Sequence, residues 1–210
     1  MKNANGIRVY ENLREIADPS HSCLVVWDVQ NGLVDRVFNR VEFMSSLKRL
    51  IDSVRGRMPV FYTLVTPLPV SFRSSWSFYS AMRRFNVADP NKLPPFMAPG
   101  SHEAEFPMDA RPGEGDVVLR KSTASIFLGT DFEPMLRNRD IATIIFTGIA
   151  TEMGIESSVR DASNRGFYPV VVSDCVSSMD REAHERSLKN MRKLCVVEDS
   201  AAILRALETQ

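Results

Sequence analysis

Sulfur chemistry has little to work with in this chain. Its three cysteines, Cys23, Cys175 and Cys195, are odd in number and far apart, and no pair has the spacing of a zinc or redox motif. Reduced thiols in a cytoplasmic protein are the expectation. A surplus of one charge is also absent, because 26 lysines and arginines balance 26 aspartates and glutamates. No global field draws such a chain to nucleic acid or to an anionic membrane, so a small-molecule partner is expected. Long hydrophobic runs are missing too. IATIIF is among the longest, far short of a membrane span, and MKNANGIRVYENLREIADPS carries no apolar signal segment. No strand is followed by G-x-G-x-x-G or a Walker-type loop, which argues against a dinucleotide or nucleoside triphosphate; no cofactor is expected.

What is present suits one globular domain over residues 1–210, with 44% of residues apolar and 25% charged. Short apolar runs recur between turn signals: CLVVWD, VFYTLV, DVVLR, ATIIFTG, YPVVVSD and CVVED. They lack the alternation of half-solvated strands and read as strands buried on both faces. Helical patterns separate most of them, among them VEFMSSLKRLIDSVR, DFEPMLRNR, TEMGIESSVRDASNRG, REAHERSLKNM and AAILRALE. The alternation implies an α/β three-layer domain on a mainly parallel six-stranded sheet, with a strand order that spacing does not reveal. Residues 66–115 break the rhythm with prolines and aromatics. A connection that long reads as a lid or subunit contact, or as cover for one sheet edge. It includes Trp76, Phe78, Tyr79 and Phe85 beside Arg73, Arg83 and Arg84, a set that suits anchoring or a substrate carboxylate better than nucleic acid.

Ligands of open parallel sheets sit beyond the carboxyl ends of the strands, so polar strand-ending residues come first. Asp28 follows CLVVW directly, where an unpaired charge is expensive, and Lys121 is the candidate partner. The plainer reading has Asp28 capping a loop and Lys121 in solvent. Gln30 is expected on the side of Asp28, orienting it or a substrate, or else bonding within the loop. Thr151 reads as an N-cap, which makes Gly154 the third helical residue. A glycine there costs about 1 kcal/mol against alanine. It either opens the helix amides to a ligand or allows close packing against a strand.

The blocks WDVQNG, LRKSTASIFLGTDFEPMLRNR and TGIATEMGIESSVRDASNRGFYPVVVSDCVSS resemble the three signatures of the isochorismatase-like cysteine hydrolases. The likeness runs from His21 to Cys195 and implies a Rossmann-like sandwich. It assigns acid–base duty to Asp28 and charge support to Lys121, and it places a cis peptide between Ile149 and Ala150. That bond would aim the amides of Ala150 and residue 154 at one point as an oxyanion hole. Phe127 is implied as pocket wall or core. Dimers or larger assemblies are implied as well.

Most members carry a nucleophilic cysteine at the position of Gly154, so the resemblance here is to isochorismatases proper, which share the glycine. Those cleave a vinyl ether with the aspartate as acid and water as nucleophile. The GIATE loop differs from their Tyr-Ala-His sequence, which implies a different pocket. Metal-binding relatives use an Asp-x-His after the second strand. This chain has TPLPVSFRSSW there and only isolated His21, His102 and His184, so no metal is expected. An aspartyl phosphatase would need a second aspartate where Gln30 stands. Cys175 is a remote substitute nucleophile; the resemblance makes it structural. Two functions remain. The first is a metal-independent hydrolase of a small, carboxylated metabolite using Asp28, Lys121, Ala150 and Gly154, with Gln30, Phe127 and Thr151 at the substrate. The second is a binding protein on a disarmed scaffold.

Overall fold

The computed structural model describes residues 1–208. A hairpin of β1 (Lys2–Ala4) and β2 (Ile7–Val9) and a short α1 (Leu13–Ile16) precede the main sheet. The hairpin is exposed and carries none of the apolar pattern that marks the other strands, which is why sequence reading passes over it.

Then come β3 (Ser22–Trp27), α2 (Asn31–Val34), α3 (Arg40–Val54), β4 (Val60–Val65), α4 (Ser75–Phe85) and β5 (Val117–Lys121). The second half runs α5 (Phe132–Arg137), β6 (Thr143–Ile149), α6 (Glu156–Asn164), β7 (Tyr168–Ser177), α7 (Arg181–Met191), β8 (Val196–Glu198) and α8 (Ser200–Glu208). The six main strands are all parallel, in the order β5-β4-β3-β6-β7-β8. Chain direction across the sheet reverses between β3 and β6, so a crevice is expected above their carboxyl ends.

Two apolar layers clamp this sheet. On one face Phe43, Leu47, Leu50, Ile51 and Val54 of α3, with Ile203 and Leu207 of α8, cover Leu24, Val26 and Tyr62. Those α3 positions recur at the three- and four-residue steps of a helical stripe, and a fully buried side chain of this size contributes roughly 1.5–3 kcal/mol. On the other face Phe132 and Leu136 of α5, Val159 and Ala162 of α6, and Leu188 and Met191 of α7 cover Val25, Phe61 and Phe146. α7 starts where the Asp180 carboxylate accepts from the Ala183 amide.

β3 and β6, the central pair, are buried at every residue. β5 and β8 are only partly buried, which corrects the reading of all six runs as doubly covered. They are the sheet edges and have a neighbour on one side only. No helix among the described residues is long and apolar enough to cross a membrane.

Residues 66–115 supply α4 and several single turns. α4 is capped by the Ser74 hydroxyl, which accepts from Ser77 N, and it ends at left-handed Asn86, yet it buries none of its residues. Further on, Met97 and Ala110 do enter the core beside α3.

Gly148 explains how β3 and β6 approach each other. It pairs with Trp27, its φ is +118°, and a methyl built on it would overlap Trp27 main-chain atoms, reaching N at 2.6 Å and C at 2.7 Å. Neither the angle nor the space admits another residue. Gly148→Ala is expected to lower unfolding free energy by about 4 kcal/mol or to abolish soluble folding, read from the urea midpoint. An unchanged midpoint would contradict this account.

Candidate active site

Asp28 is the first residue past β3 and turns sharply, with φ +47°, a region that aspartate tolerates better than most residues. The turn brings its carboxylate onto the β4–β5 side. Thr63 Oγ1 donates to Asp28 Oδ1 at 2.5 Å, and Asp28 N donates to Thr63 Oγ1 at 2.9 Å. Lys121, the last residue of β5, donates from Nζ to Asp28 Oδ2 at 2.6 Å and to the Thr123 carbonyl at 3.2 Å. Both charges are almost closed to water, with Asp28 5% and Lys121 6% exposed. Lys121 Nζ also lies 3.9 Å from the centre of the Trp27 ring, a cation–π contact.

Burial drives both groups toward neutrality. It raises the Asp28 carboxyl above the usual carboxylate range, against the opposing pull of Lys121 and Thr63. It lowers the Lys121 ammonium below its ordinary value, against the pull of Asp28.

Beside the pair, the peptide bond between Ile149 and Ala150 is cis. Residues 151–155 form a π-type turn in which Ile155 N donates to Ala150 O at 3.3 Å, and α6 follows. Ala150, not Thr151, is the N-cap, so Gly154 is the fourth residue of the turn rather than the third. Thr151 does not cap because its hydroxyl is engaged elsewhere: Oγ1 donates to the Ser177 carbonyl at 3.1 Å and lies 2.8 Å from His184 Nδ1.

Gly154 has a packing reason. A side chain there would overlap the Trp27 indole, with a Cβ only 2.6 Å from Cζ2 and nearer still to Nε1 and Cε2. Trp27 is 1% exposed and fills the place of the missing group. The close-packing reading offered by the sequence thus has a visible cause, and it concerns the side-chain position and not the Gly154 amide. The sequence pattern alone does not mark Trp27 as a site residue. The available signal was a large aromatic ending a buried strand, in a chain with glycines at 148 and 154.

Other expected site residues have different surroundings. Gln30 does not touch Asp28: its Oε1 accepts from Val65 N at 2.8 Å and its Nε2 donates to Ala104 O at 3.0 Å. Phe127 packs edge-on against Phe132 and stacks with Phe167 under the Arg165 guanidinium, inside the core. Cys175 lies within β7, not past its end, and it is buried in the α3–α8 layer with its thiol pushed up by burial. Trp27, Lys121's ring partner, belongs to the opposite layer. Arg73 donates to the Leu68 carbonyl, and Arg83 and Arg84 sit in the last turn of α4. A cavity of about 540 Å³ opens beside β4 and β5, but its wall includes none of Asp28, Lys121 and Gly154.

A family model, the isochorismatase domain, matches residues 22–202. The chain belongs to the isochorismatase family. It is 37% identical over 177 residues to the uncharacterized isochorismatase family protein YwoC of Bacillus subtilis, covering 82% of this chain and 86% of the relative. The ureidoacrylate amidohydrolase RutB of Methylobacterium radiotolerans is 28% identical over 192 residues, 83% of this chain and 74% of the relative. A maleamate amidohydrolase of Pseudomonas putida is 35% identical over 92 residues, 44% and 43% of the two chains. Among solved structures, an isochorismatase family protein from Burkholderia thailandensis superposes with a TM-score of 0.74 at 29% identity, covering 90% of this chain and 96% of that one. A cysteine hydrolase from Pseudomonas syringae shares the fold at a TM-score of 0.75 and 22% identity, over 91% and 94%. These hydrolase homologues place the isochorismatase-family chain among enzymes without specifying its substrate.

Two measurements probe the packing of this isochorismatase-family site. Gly154→Ala is expected to cost about 2–3 kcal/mol through overpacking. Combined with Trp27→Leu, the loss should fall short of the sum of the two single losses by about 1 kcal/mol or more. Strict additivity would show that the two positions do not interlock.

His184 gives a pH signature. Burial lowers its pKa from 6.5, so the folded state disfavours the proton and stability is greatest above that value and declines as pH falls through the folded pKa. The stability gap between wild type and His184→Gln is therefore expected to narrow between about pH 7.5 and about pH 5.5. A constant gap in urea midpoints would refute the assignment.

Proposed function

We propose that this chain is a metal-independent hydrolase of a small, carboxylated metabolite. Asp28 is its acid and base, Lys121 is the electrostatic partner, and the Ala150 and Gly154 amides are donors to developing negative charge. The observation that carries this reading is the 2.6 Å contact between Lys121 Nζ and Asp28 Oδ2, nearly closed to water at the carboxyl end of a parallel sheet. An idle buried pair tends to cost stability rather than add it, so its presence favours use. The names of the two amidohydrolase relatives, which act on ureidoacrylate and maleamate, support a short carboxylated substrate.

No thiol takes part at residue 154, where the space for a side chain belongs to Trp27. Water is then the nucleophile. Burial brings the proton affinities of the two partners closer together, which eases passage of a proton from Lys121 along the short bond to Asp28. Asp28 delivers it to the atom that bears the departing or developing charge, and the bond to that atom breaks as water adds. The carboxylate left behind recovers a proton from the added water, and the pair returns to its starting state. General acid–base transfer of this kind contributes about 10²–10⁴-fold.

Wild type and Asp28→Asn should be run side by side against a metabolite extract supplemented with maleamate, ureidoacrylate and isochorismate, with loss of each compound followed by mass spectrometry. One compound should disappear with wild type and do so at least about 10²-fold more slowly with the variant. Intact protein mass should show no covalent adduct during turnover. Equal turnover by Asp28→Asn would sink the proposal, and retention of one compound unchanged by both proteins would favour a binding protein instead.

A further inference from the structure

The cavity of about 540 Å³ lies within the size range of small-molecule sites. Its floor is the far side of the β4–β5 ladder. Thr63 and Lys121 turn toward Asp28, so their chain neighbours Leu64 and Arg120, which are register partners, point away from it and line the cavity.

The opposite wall comes from the 66–115 segment, and it is stapled to the turn after Asp28. Gln30 bridges Val65 N and Ala104 O, Asn31 N donates to Glu105 O at 2.9 Å, and Asn31 Nδ2 donates to His102 O at 3.0 Å. Gly32 lets this wall come close, since a Cβ on it would stand 2.9 Å from Glu103 Cβ and 3.1 Å from Met97 Cε. Met97, buried in that wall, holds a left-handed φ of +48°, which a bulky residue adopts only when its surroundings fix it. The cavity is thus shaped before any ligand arrives.

Its lining combines an apolar body, including Leu64, Met97 and Phe106, with two arginines, Arg111 and Arg120. Neither guanidinium has a hydrogen-bond or ion-pair partner among the described residues. The neighbouring Arg55, by contrast, is bound to Asp116, the Tyr62 hydroxyl and the Arg111 carbonyl. Glu105 adds one carboxylate to the wall, which leaves a single net positive charge and works against a second anionic group on the ligand.

We infer that this cavity is a second ligand site, separate from the Asp28–Lys121 pair, which binds a small organic acid carrying one carboxylate on an apolar body, with Arg111 and Arg120 holding the carboxylate. Guanidinium–carboxylate hydrogen bonds are directional and charge-assisted, and the apolar wall accounts for the rest of the molecule. The inference does not depend on the hydrolase reading.

Titration calorimetry on the whole protein tests it with benzoate, its neutral analogue benzamide and the dianion succinate. Benzoate should bind saturably, and both other probes should bind at least about tenfold more weakly. Arg111→Gln and Arg120→Gln should each weaken benzoate by about tenfold to a hundredfold, while Asp28→Asn binds it as wild type does. Both arginines are exposed, and thermal melts should confirm that the variants remain folded. Absence of saturable benzoate binding, benzamide equal to benzoate, or arginine variants equal to wild type would each overturn the inference. Loss of binding in Asp28→Asn with the arginine variants unaffected would relocate the ligand to the pair and overturn it as well.

Discussion

Taking a carboxylate and an ammonium out of water costs several kcal/mol per ion, and only close geometry recovers it. Asp28 and Lys121 meet that demand from strands that are not neighbours. The carboxylate stands past β3 and the ammonium ends β5, so β4 must lie between them in register, with Thr63 donating to the other carboxylate oxygen. The positive φ at Asp28, the indole face under Lys121 and the Thr123 carbonyl all serve the same pair. If one partner moves away, the other becomes an uncompensated buried charge. The sheet's order and the pair's geometry therefore constrain each other.

Trp27 carries that constraint into the second half of the fold. Its backbone packs on Gly148 and its indole occupies the side-chain space of Gly154, so two glycines from different elements answer to one aromatic residue. The same ring supports Lys121. A substitution at 154 would therefore be felt at the ammonium without touching it directly.

The sheet was legible because burial on both faces leaves unbroken apolar runs, and β4 and α7 begin and end where the pattern does. The edge strands kept the pattern only weakly, since one side of each lacks a neighbour. The pairing of Asp28 with Lys121 was legible from the cost of an unpaired charge after CLVVW. Thr151 departs from the N-cap expectation because a capping residue type says nothing about competing partners, and Ser177 and His184, distant in sequence, claim its hydroxyl. Gln30 does not reach Asp28 for a similar reason: its side chain bonds to Val65 and Ala104, which only the folded segment brings near. The cavity left no trace, because a wall built from irregular backbone has no period to read.

The chain holds two tryptophans in contrasting settings: Trp76 is 71% exposed on α4, and Trp27 is sealed beside a lysine. Their emission should separate accordingly, with a red component from the wetted ring and a blue one from the ring in the core. A polar quencher in solution will reach the first far more readily than the second. The protein thus carries a native optical probe within van der Waals reach of its most heavily constrained charges, and light absorbed by that ring samples the site with no label attached.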